Sequence, residues 1–176
     1  MGVMYDYFSA ASDELAAATI DAPGGPDGAG PQLPVAEIVK LHGHEGLREL
    51  LRPRVRQAET GFHVVATKGF DPTTDLGMIE AILTGVDFED LLARERTSHV
   101  VAERDGGQGL VLTISDELQA CLARSGVTEL RAAAAQWVES NGFGDAGPLG
   151  DLLSELSLLA RGATERGERL YCWVCV

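Results

Sequence analysis

The sequence is poor in cations. Lysine and arginine together number 14 against 27 aspartates and glutamates, a formal net charge of -13 at pH 7. Such a field repels phosphate backbones and anionic lipid, so it argues against nucleic-acid and membrane-surface roles and suits a basic protein partner. It also serves simply to keep a chain soluble. Lysine is nearly absent, at Lys40 and Lys68 alone, and arginine carries the rest. Together with abundant alanine and glycine, this usage reads as the codon bias of a GC-rich genome. Long apolar runs are missing too; none approaches the roughly 20 residues needed to span a bilayer. The opening stretch carries Asp6 and lacks a basic region, so neither a signal peptide nor a lipid anchor is expected, and the expected location is cytoplasmic. Cysteine is sparse. Cys121, Cys172 and Cys175 make an odd count, which reads as reduced thiols.

Motifs that announce chemistry are also lacking. There is no HExxH, GxSxG, P-loop or GxGxxG, and the glycines between Pro23 and Gly30 lack the lysine of a phosphate loop. Cys172-Trp173-Val174-Cys175 has the CxxC spacing but lies in a β-type run. There, residues three apart point to opposite faces, and no helix follows to stabilise a thiolate. A zinc site would need two further ligands, and no second CxxC supplies them. Ordinary buried thiols are expected. His42 and His44 would be turned apart on a helix, and His63 and His99 are isolated. No metal and no cofactor are expected.

What is present is the material of one globular domain. Hydrophobic residues make up 45% of 176, enough for a full core without staples. Val3 to Phe8 is dense in aromatics and predicts a strand, with Val3, Tyr5 and Tyr7 on one face and Met4, Asp6 and Phe8 on the other. Ser12 caps a short helix to Ile20. Asp21 to Pro34, rich in glycine and proline, predicts a mobile surface loop. Helical spacing runs from Val35 to Arg56, weakened by Gly43, Gly46 and Pro53. Phe62 to Thr67 predicts a strand, and a helix closed by Gly85 follows Asp71-Pro72. Asp87 to Ala93 forms a further helical turn. A hairpin is predicted around Asp105 to Gly109. Three helices follow: one capped by Ser115, one from Thr128 to Gly142, and one opened by Pro148 or Asp151 and ended by Gly167. Leu170 to Val176 is apolar on both faces, which predicts an inner strand beside the first. The fold class is a single α+β domain over residues 1–176, with a mixed or antiparallel sheet that contains both terminal strands.

The strand-to-helix junction holds the candidate binding residues: Lys68, Asp71, Asp75 and Glu80. A helix N-terminus and a nearby lysine could hold an anion. Asp71 and Asp75 compete for the same charge as capping residues, and that reading is preferred.

Three stretches, MGVMYDYFSAASDELAAA, LVLTISDELQACLARSGVTELRAAAAQW and LLARGATERGERLYCWVCV, resemble in order the YfbM-like family of small bacterial proteins of unknown function. Leu83-Thr84-Gly85 is similar to that family's helix end. The resemblance implies a compact α+β fold with both termini in one sheet, and it implies no activity. Where the family's helix carries Trp and His, this chain has Leu76 and Glu80, so a ligand site built on that pair is not carried over. The expected function is non-catalytic binding of a basic protein partner, of a regulatory or immunity type. The alternative is a small-molecule-binding protein or enzyme. Its pocket would be lined by Lys68, Asp71, Asp75 and Glu80, with Asp75 or Glu80 as general base.

Overall fold

The alternation of the two terminal segments sets the sheet. In the computed structural model, described over residues 3–22, 24–27, 54–57 and 62–176, strand β1 runs Met4–Ala10. Strand β6, Arg169–Cys175, lies antiparallel beside it, with Tyr7 opposite Cys172 and Phe8 opposite Tyr171. The sheet continues through β2 (Arg54–Gln57), β3 (His63–Lys68), β4 (Val100–Arg104) and β5 (Gly109–Thr113). Its order is β2-β3-β1-β6-β5-β4, and every neighbouring pair is antiparallel. Both terminal strands are therefore internal. That position suits β6, which buries Tyr171 and Trp173 on one face and Cys172 and Val174 on the other.

Helices cover one face. They are α2 (Asp75–Thr84), α4 (Asp116–Arg124), α5 (Val127–Asn141) and α6 (Ala146–Arg166). Their leucines and Trp137 pack on Tyr5, Tyr7, Val65, Leu112 and Cys172. Among the described residues, the core on the opposite face is smaller. Ala16 of α1 (Asp13–Ala17) and Ile20 of the following 3-10 turn (Ala18–Asp21) close on Phe8, Val64, Val111, Tyr171 and Trp173. Helix α3, Phe88–Leu92, leads into the hairpin strands. Helix ends follow the residues expected of them. Gly85, Gly142 and Gly167 take left-handed conformations, and Ser12, Asp87 and Ser115 accept hydrogen bonds as N-caps.

Three sequence expectations change. Arg54–Gln57 is strand, paired to β3, where helical spacing was expected to run on to Arg56. Pro53 stands just before it and cannot continue a helix. The remainder of that expected helix, His42 and His44 lie outside the described residues. Helix α6 starts earlier than Pro148, because Asp145 accepts from the Gly147 N–H at 2.9 Å. Pro148 then falls in the first turn, where a missing N–H costs nothing. Within the expected loop 21–34, residues 28–34 lie outside the described residues. Its beginning is packed: Gly25–Asp27 forms a 3-10 turn with Gly25 and Pro26 buried. Gly25, at φ +67°, lies on the indole of Trp173, where an added Cβ would come within 2.8 Å of Cδ2. Glycine thus gives close approach as well as flexibility.

Candidate functional site

Asp71 and Asp75 form a closed cap at the start of α2. Asp71 Oδ1 accepts from the backbone N–H groups of Thr73 and Thr74, each at 2.8 Å. Asp75 Oδ2 accepts in turn from the Asp71 N–H at 2.8 Å. The second Asp71 oxygen accepts from the Tyr5 hydroxyl at 3.3 Å. Burial, with Asp71 beside it, pushes the Tyr5 phenol up to about 12. Burial also raises the Asp75 carboxyl, against the Asp71 N–H that lowers it. These bonds satisfy the N–H groups of Asp71, Thr73 and Thr74 in the turn that leads into α2. Lys68 closes β3 just before Gly69, and its side chain makes no hydrogen bond or ion pair among the described residues.

Glu80 serves a different junction. Leu76, Ile79 and Glu80 are all buried along α2. Glu80 Oε1 meets Arg94 Nη1 at 2.9 Å, and Oε2 accepts from Ser115 Oγ at 3.0 Å. Ser115 Oγ also accepts from the Leu118 N–H at 3.0 Å as the cap of α4. One buried carboxylate therefore ties α2 to the segment after α3 and to the start of α4. Burial raises its pKa, opposed by Ser115 and Arg94. The sequence carried a signal for this residue, since a lone glutamate among helix-face apolar residues needs a partner when buried. It did not identify Arg94 or Ser115 as that partner.

The four candidate residues are not joined in one hydrogen-bonded cluster. No hydrogen bond or ion pair joins Glu80 to the Asp71–Asp75 cap, and Lys68 is bonded to neither. Both Glu80 oxygens are already occupied, so a proton-transfer role would require breaking the junction.

Arg94, held inward by Glu80, leaves an acidic ridge outside. Asp87, Glu89, Asp90 and Glu95 are exposed around α3, with Leu92 40% exposed among them. None of the four has an ion pair among the described residues. Glu117 stands 3.9 Å from Arg94 at the edge of this ridge.

Two further charged clusters knit the sheet ends. Asp13 accepts from Tyr171 Oη at 2.7 Å and from Arg96 Nη1 at 3.1 Å. The Tyr171 bond, then Arg96, hold the Asp13 carboxyl below the ordinary aspartate value. Glu168 accepts from Ser9 Oγ at 2.7 Å and from Arg166 Nε at 2.9 Å. Cys172 is fully buried, and burial pushes its thiol well above the ordinary value. It faces away from Cys175. Among the described residues, no three His, Cys, Asp or Glu side chains are grouped to hold a metal ion, and no helix is long and apolar enough to cross a membrane.

A groove of about 450 Å³ lies away from all four candidate residues, lined by Asp116, Gln119, Ala120, Ala123, Arg124, Thr164 and Arg169. No family model matches the chain, and no significant match exists among curated proteins or solved structures.

Proposed function

We propose that this chain is a non-catalytic protein that binds a basic protein partner, in a regulatory or immunity-type role. The observation that carries the reading is the division of its carboxylates. Asp71, Asp75, Asp87 and Glu80 are consumed in caps and a buried ion pair, while Glu89, Asp90 and Glu95 stand exposed around α3 with no ion pair among the described residues. Leu92 offers an apolar contact within that ridge. A charged rim sets on-rate and orientation, and a small apolar anchor adds affinity. Relatedness to the YfbM-like family, a bacterial origin and a cytoplasmic location belong to the same proposal. They rest on the three resembling stretches and the acidic composition.

The test is recovery from native lysate at low and moderate salt, with wild type beside an E89K/D90K/E95K variant. A stoichiometric basic partner should be recovered by wild type at low salt and lost by the variant. Recovery of no stoichiometric partner under either condition sinks the proposal.

A further inference from the structure

The groove along α4 is set apart from the acidic ridge by the hydrogen bonds it has left to give. Gln119 is fully engaged: its Nε2 donates to the Glu168 carbonyl at 3.0 Å, and its Oε1 accepts from the Leu170 N–H at 2.9 Å. The Thr164 hydroxyl donates to the Ala160 carbonyl at 2.8 Å. The Asp116 carboxylate is shared between Arg169 Nε at 3.6 Å and Arg96 Nε at 3.4 Å. Ala120 and Ala123 offer only methyl groups. What remains available is donor capacity from guanidinium groups. The Arg124 side chain has no hydrogen bond or ion pair among the described residues, and Arg169 is half exposed. The lining carries two arginines against one aspartate, a local positive balance in a chain of net charge -13.

The spacing narrows the ligand. Asp116, beside Arg169, and Arg124 are eight residues apart on α4, so about 12 Å along its axis. A guanidinium recognises carboxylate through a fork of donors. The geometry points to a binding site for a small dicarboxylate with an apolar spacer. One carboxylate sits at Arg169 and the other at Arg124, and the spacer lies over Ala120 and Ala123. With that backbone separation taken as the span between the two guanidinium groups, an extended spacer at roughly 1.2 Å per bond needs about eight to ten carbons. The groove volume is within the range of small-ligand sites. This site is independent of the acidic ridge, and either proposal can fail alone.

The probe is sebacate, a ten-carbon dicarboxylate, titrated into the full-length protein at low salt by amide and arginine-side-chain NMR. Glutarate and decanoate are the controls for length and for the second charge. Saturable shifts are expected at Ala120, Ala123 and Arg124, with sebacate about tenfold tighter than either control. Arg124→Gln and Arg169→Gln should each weaken sebacate roughly fivefold or more, since each removes one charge-assisted contact. Arg124 has no described internal partner, so R124Q keeps the test clean if R169Q disturbs Asp116. Shifts that do not saturate, equal affinity for glutarate, or unchanged affinity in R124Q would overturn the proposal.

Discussion

At the scale of single residues, the informative side chains are polar groups in apolar places. Glu80 is the clearest. Its burial could equally have meant a general base, and its surroundings decide otherwise: an arginine on one oxygen and a hydroxyl on the other. The same surroundings give a sign for its pH dependence. Burial raises the folded pKa above the unfolded value near 4.5. A carboxyl of that kind holds its proton longer when folded. Its contribution is fully present below the unfolded value and is lost as pH rises through the folded value. Glu80→Gln keeps the shape and removes the titration. The variant should be less stable by about 1–2 kcal/mol, because its amide puts an NH2 donor where a carboxyl oxygen meets Arg94 or accepts from Ser115. The gap to wild type, read from urea midpoints, should be larger at pH 5 than at pH 7. A gap that grows with pH would mean that Arg94 and Ser115 outweigh burial and hold the Glu80 pKa below its unfolded value.

At the scale of elements, most of the fold was legible because local signals agreed with burial. Ser115 before Asp116 and Glu117 named a helix start, Gly85 and Gly142 named helix ends, and the apolar two-faced run at the C-terminal end named an internal strand. What stayed illegible was non-local. Nothing in the spacing of Glu80, Arg94 and Ser115 says that they meet, because three separate elements bring them together. The start of α6 was misplaced because Asp145, a cap set between glycines, is a weaker sequence mark than Pro148. The groove was missed for a related reason, since alanines on an exposed helix face carry no signal until α6 and β6 are set beside them. Strand β6 gives the element-scale prediction. It is hydrogen-bonded on both edges, to β1 and β5, and Gln119 fixes its first residues to α4. Deleting Leu170 to Val176 removes the centre of the sheet, and the truncated chain should be unfolded or insoluble. Trp173→Ala, a milder lesion beneath Gly25, should cost about 3–5 kcal/mol in denaturant unfolding. A soluble truncation with unchanged circular dichroism and melting temperature would contradict the strand order.

At the scale of the whole molecule, the governing quantity is charge. Carboxylates outnumber lysine and arginine by 27 to 14. The described arginines are largely committed, Arg94 to Glu80, Arg96 to Asp13, Arg104 to Asp105 and Arg166 to Glu168. Two opposed effects follow when salt is added. Exposed ion pairs weaken, but each contributes at most about 1 kcal/mol, and several sit between half-exposed groups. Repulsion among the surplus carboxylates weakens as well. It acts over the Debye length, which shrinks from about 30 Å at 0.01 M to about 8 Å at 0.15 M. The surplus is large and spread over the surface, so relief of repulsion should win. The melting temperature at pH 7 should therefore rise as sodium chloride goes from 0.01 to about 0.15 M. Sodium chloride rather than sulfate keeps the change electrostatic, since sulfate also strengthens apolar burial. A fall in melting temperature over that range would show that the arginine pairs outweigh the net field. The acidic surface could then no longer be treated as a repulsive field that a basic partner relieves.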